Sequence, residues 1–150
     1  MFKTYTWDLL IAEENGQKYY QKLEIAYGEI RQLFQVGDTA LFQGDGEPYI
    51  GEIHSMYENK SGQKFVNCQW FYRPDDVRTL AKQGKKQENI DILKDVDLTG
   101  PIVFSSTHND ETEVESILRP CLVEYVTVEG DKWDQKGDIS YGNEDVFVCR

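Results

Sequence analysis

The chain has 150 residues, and its 27 Asp and Glu against 16 Lys and Arg leave a net charge of −11, while 39% of residues are hydrophobic. That apolar share is enough for the core of one ordinary domain and excludes a disordered chain. A surface this acidic repels phosphate backbones and anionic membranes, so neither DNA nor membrane is expected as a principal partner; a Lys- and Arg-rich peptide is the first class to consider.

In chain order, the first signal is Asn15-Gly16 between the β-type runs Trp7 to Ala12 and Lys18 to Ile25. An Asn-Gly pair supplies the positive φ angles of a tight turn, so the spacing predicts an N-terminal hairpin over 4–26. After Val36-Gly37-Asp38 come a strand at Thr39 to Gln43, a turn at Gly44-Asp45-Gly46-Glu47-Pro48 and a strand at Tyr49 to Glu58. Asn59 to Gly62 turns the chain into a further strand, Lys64 to Tyr72. Arg73-Pro74-Asp75-Asp76 ends the alternation, and Val77 to Gly100 reads as a polar surface insertion with a short helix near Asn89 to Leu98. Strand character resumes at Ile102 to Ser105, Leu122 to Val128 and Asp145 to Cys149. Many short strands between turn signals predict an all-β fold of the barrel or sandwich kind in one domain: hairpin 4–26, core about 33–128, C-terminal extension 129–150.

Cys68, Cys121 and Cys149 are odd in number and widely spaced, which implies no disulfide framework and points to a reducing compartment. The N-terminus lacks the apolar core of a secretory signal, and no run approaches the ~20 apolar residues that span a bilayer. A soluble intracellular protein is expected. The two histidines, His54 and His108, and the cysteines make no C-x-x-C or H-E-x-x-H spacing, so no metal or other cofactor is predicted. Cys121 and His108 form no convincing nucleophile pair, because Cys121-Leu122-Val123 is apolar strand sequence in which thiols are inert. No catalytic residue is assigned and the chain is not expected to be an enzyme.

The informative run is Trp70-Phe71-Tyr72-Arg73-Pro74. Alternation along a strand puts Trp70 and Tyr72 on one face. If the strands flanking Asn59 to Gly62 pair as a hairpin, Tyr49 lies at the same end, and three rings meet at one mouth of the fold. Such a trio binds a quaternary ammonium through cation–π attraction, each ring contributing about 0.5–2 kcal/mol when desolvated. Aromatic residues are also ordinary strand core, and composition alone does not separate a cage from a core.

The runs Val36-Gly37-Asp38-Thr39-Ala40-Leu41, Pro48-Tyr49-Ile50-Gly51-Glu52-Ile53 and Gln69-Trp70-Phe71-Tyr72-Arg73-Pro74-Asp75-Asp76 resemble the core of a bromo-adjacent homology (BAH) domain. Val103-Phe104-Ser105-Ser106-Thr107-His108-Asn109-Asp110, then Val114-Glu115-Ser116-Ile117 and Cys121-Leu122-Val123, resemble that family's strand, S-x-H-x-D-type loop and returning strand. The resemblance spans about Val36 to Val126 and implies a distorted β-barrel in a nuclear, non-enzymatic chromatin module. The chain is most similar to members that read trimethylated lysine on histone H3, notably at lysine 27, in gene silencing. Carried over by motif, the cage is Tyr49, Trp70 and Tyr72, and His108 and Asp110 contact the histone peptide. The implied partners are a trimethylated H3 tail and proteins of chromatin complexes. The alternative is a BAH interaction module that binds a folded partner and reads no methyl-lysine.

Overall fold

The computed structural model describes residues 2–74, 76, 101–125, 128–129, 132–133 and 146–149. Strands β1 (Thr4–Glu14) and β2 (Gln17–Tyr27) form the expected antiparallel hairpin, with register from Glu14 opposite Gln17 to Thr4 opposite Ala26. Asn15 and Gly16 take φ of 52° and 79° at its turn, the left-handed pair a two-residue hairpin loop needs. Trp7 stacks on Tyr20 across the hairpin, with ring centroids 5.0 Å apart, and donates its indole N–H to Glu58.

Gly28, at φ 62°, turns the chain into β3 (Ile30–Gln35), a strand absent from the sequence reading. Its polar residues Arg31, Gln32 and Gln35 hide the alternation, and what holds it is tertiary: Phe34 is buried and lies opposite Leu23 of β2. Strand β4 (Thr39–Phe42) pairs antiparallel with β5 (Tyr49–Glu58), Thr39 opposite Glu52 and Phe42 opposite Tyr49. The chain continues as β6 (Lys64–Tyr72), β7 (Ile102–Glu113), a 3-10 turn at Val114–Ser116, β8 (Ile117–Tyr125), the short β9 (Val128–Glu129) and β10 (Lys132–Trp133), and β11 (Val146–Cys149). The last strand lies between β7 and β8, parallel to both.

Strands β5, β4, β8, β11, β7 and β6 pair in that order and β6 pairs back to β5, which makes the fold all-β with a closed six-strand barrel. Closure removes the free edges a six-strand sheet would expose. One expectation is corrected: the S-x-H-x-D run is strand through to Glu113, because β7 continues instead of breaking into a loop after Ser105. The insertion at 77–100 and its helix lie outside the described residues.

By compactness the chain falls into two units, Met1–Trp70 with Thr107–Pro120, and Phe71–Ser106 with Cys121–Arg150. In the first, Leu23, Ile25, Phe34, Ala40, Phe42, Ile53, Met56, Val66, Cys68, Val114 and Ile117 form one buried apolar cluster. In the second, Phe71 packs near Tyr125, and the Arg73 guanidinium lies 5.2 Å from the centroid of buried Phe147. No polar or charged residue is buried among the described residues, so burial of apolar area is the main stabilising term. Phe34→Ala is expected to lower stability by about 3–5 kcal/mol in urea unfolding, because the surrounding strands cannot collapse into the void. A loss below about 1 kcal/mol would contradict the closed packing of β3 on β2.

Candidate functional site

The candidate site begins at the turn between β4 and β5. Tyr49 is the first residue of β5 and remains 48% exposed. Its ring lies over Gly44, where a β-carbon would stand 3.0 Å from the Tyr49 Cζ and 3.1 Å from its Cε1. The turn thus holds the ring without burying it.

Trp70 reaches the same place from β6. The hairpin joining β5 to β6 is fixed by Asn59, whose side-chain oxygen accepts the backbone N–H groups of Ser61 and Gln63 while its own N–H donates to the Gln63 carbonyl. Gly62 supplies the positive φ, 82°. This sets Tyr57 against Phe65 at 5.7 Å and returns the Trp70 end of β6 to the Tyr49 end of β5. Trp70 is half-buried, stands edge-on to Phe42 at 5.2 Å and 90°, and meets Tyr49 at 5.8 Å and 62°. Two aromatic walls therefore meet at a steep angle, one anchored in the core and one open to solvent. At these separations the rings are in edge contact with one another. Tyr72 follows at the two-residue period of β6 and is half-buried in the second unit.

His108 and Asp110 are both exposed on β7. Asp110 accepts the N–H of Glu111 at 2.8 Å, and its charge bears on Cys68, two residues before Trp70 in β6. Next to it, Tyr57 donates its hydroxyl to Glu111, and burial followed by that carboxylate pushes the phenol well above its usual range. A separate polar cleft of about 310 Å³ lies at the other end of β6, lined by Tyr5, Gly62, Gln63, Lys64, Glu113 and Glu115. Lys64 there is ion-paired with Glu58 at 3.1 Å. Among the described residues no group of three or more His, Cys, Asp or Glu is placed to hold a metal ion.

The sequence reading missed the supports, Phe42 and Gly51. A β-carbon at Gly51 would stand 2.9 Å from Trp70 Cζ3 and 3.0 Å from Phe42 Cε2. The available signal was a glycine inside a β-branched strand run, which marks close approach of another group to the backbone.

The family model of the BAH domain matches residues 32–150. This chain belongs to the BAH domain family. The crystal structure of the yeast Rsc2 BAH domain is similar at a TM-score of 0.51 and 17% identity, over 84% of this chain. At that identity the likeness carries the fold alone, and this chain spans 47% of the yeast chain. The BAH domain is a chromatin-associated module. In this BAH domain the family match begins inside β3, so the whole N-terminal hairpin precedes it, and it includes β11.

Of the three free cysteines, Cys68 lies beneath the site, and burial, then the Asp110 charge, pushes its thiol from 9.0 up to about 12. Iodoacetamide at pH 8 is expected to spare Cys68 in the folded protein and modify it in urea. Below pH 9 the thiol is protonated in both states. Between pH 9 and about 12 only the unfolded state loses the proton, so stability falls as pH rises. Cys68→Ala should flatten part of that alkaline loss in urea titrations and leave the share contributed by Tyr57.

Proposed function

We propose that this BAH domain is a non-enzymatic nuclear reader of trimethylated lysine on a histone tail, with histone H3 lysine 27 as the mark and transcriptional repression as the outcome. The observation that carries the reading is the Tyr49–Trp70 pair, two rings set at 62° with one face open and the other braced by Phe42. Tyr72, two residues after Trp70 on β6, is assigned as the third ring on the family motif. A trimethylammonium spreads its charge over methyl groups, loses little hydration on entering such a site, and gains about 0.5–2 kcal/mol per ring.

The peptide is assigned to β7, through His108 and Asp110. β7 pairs with β6, the strand that carries Trp70, and His108 and Asp110 are both exposed on it, which supports a peptide lying along this strand. Partners with Lys and Arg near the modified residue gain from the net charge of −11, chiefly in association rate, and lose that gain at high salt. Two or three ring contacts against the ordering of a flexible tail give an affinity of about micromolar.

Calorimetry with H3 peptides around lysine 27, unmodified and trimethylated, beside other methylated H3 and H4 tails, tests the reading. Tyr49→Ala, which removes an exposed ring, is expected to weaken the trimethylated peptide by about tenfold with unchanged thermal unfolding. Trp70→Ala should abolish discrimination between methylated and unmodified tails. Heat from a different methylated tail alone moves the target, and silence across the panel favours a protein-interaction module.

A further inference from the structure

β1 is an edge strand: among the described residues it pairs with β2 alone. Its first half is regular. Tyr5 and Trp7 recur at the two-residue period and pack against the buried cluster, so continued alternation would bring Leu9 and Ile11 to the same face. Neither arrives there. Leu9 takes φ of 57°, in the left-handed region that leucine rarely enters, and its N–H donates to the Asp8 carboxylate at 2.8 Å. Ile11 is then the extra residue of a bulge, since Leu10 lies opposite Tyr20 and Ala12 opposite Tyr19. Three consecutive aliphatic side chains end in the open, Leu9, Leu10 and Ile11 at 54%, 56% and 58% exposed.

Single exposed aliphatic residues are ordinary, but a contiguous run turned outward by a strained residue marks a contact surface. A leucine held at positive φ costs stability, and strain of this kind clusters where the display it produces is used. The bulge also twists the strand edge, which discourages indiscriminate pairing with other strands and leaves side chains as the means of contact. The run precedes the family match, which begins at residue 32.

Charge decides what covers it. Asp8 on one side and Glu13 and Glu14 on the other flank the run along β1. Lys22 lies opposite Asp8 and Lys18 opposite Glu13, yet among the described residues none of these three carboxylates forms an ion pair. A second copy of the chain would set the same carboxylates against each other, on molecules that each carry a net charge of −11. An anionic lipid surface is repelled in the same way. An apolar centre with a cationic rim complements both features.

We propose that Leu9, Leu10 and Ile11 form a docking surface for an aliphatic segment of another protein flanked by Lys or Arg residues. The surface shares no residue with the cage, so the two readings stand or fall separately.

The test uses the full chain as wild type, Leu9→Asn and Leu10→Ser. Calorimetry follows the synthetic peptide Lys-Lys-Leu-Ile-Leu-Lys-Lys beside a control with serines in place of its aliphatic residues and a control with glutamates in place of its lysines. Wild type is expected to bind the first peptide about tenfold more tightly than either control, and each variant should lose about tenfold of that affinity. Asparagine tolerates the left-handed region, so Leu9→Asn should unfold at a temperature no lower than wild type while binding less well. Equal binding of the aliphatic and serine peptides, no binding at all, or unchanged affinity in both variants overturns the proposal. Leu9→Asn that unfolds earlier also overturns it, because Leu9 would then be held by packing. Sedimentation of the chain alone, and with phosphatidylcholine vesicles, covers the other occupants: a dimer, or vesicle binding, that Leu10→Ser abolishes would assign the surface to a second copy or to lipid and defeat the partner proposed.

Discussion

The contact on which the candidate site depends is the Trp70 indole lying on bare backbone at Gly51 with Phe42 edge-on beside it. Three strands must be in register for that contact to exist. The pairing of β4 with β5 puts Phe42 opposite Tyr49 and Ala40 opposite Gly51. The turn at Asn59 to Gly62 then returns β6 so that Trp70 covers the glycine. A slip of one residue between β5 and β6 would turn the indole to the other face, and one between β4 and β5 would turn Phe42 away, because side chains alternate along a strand. Phe42 belongs to the buried cluster of the first unit, so the packing that stabilises this unit also sets the position of a solvent-facing ring.

This coupling explains why one aromatic wall is rigid and the other is not. Trp70 leans on a phenylalanine that is almost fully buried, whereas Tyr49 stands on a turn and keeps about half its surface in water. Carboxylates on β7 add a field in which a positively charged ligand is favoured. Asp110 raises the Cys68 thiol through that field, and Glu111 acts on the Tyr57 hydroxyl.

Much of the frame was legible before any coordinates. Asn15-Gly16 announced its hairpin because that dipeptide reaches positive φ cheaply, and β4, β5 and β6 appeared within a residue of their observed bounds because turn residues separate them. β3 escaped because three of its six residues are polar and break the alternation, and burial of Phe34 against Leu23 depends on tertiary packing. The S-x-H-x-D run ending at Asp110 was expected as a loop from the family resemblance, and its exposed polar residues carry no apolar period that would have shown a strand. Its strand state comes from hydrogen bonding to neighbours in the barrel, to which a local pattern is blind.

By itself, the sequence determined the all-β class, the acid surface that favours a basic partner, the BAH resemblance, and the residue types able to hold a quaternary ammonium. The class, the charge and the residue types follow from composition, alternation and turn chemistry, and the resemblance from motif runs compared with a known family; all are read from local stretches of the chain. Only the tertiary structure decided that Tyr49 and Trp70 meet at 62°, that Phe42 and not another ring braces them, and that Gly51 is required for space and not for its φ. Those are distances between residues far apart in sequence or on different strands. They exist only once strand register is chosen, and register is set by the burial of the whole core together.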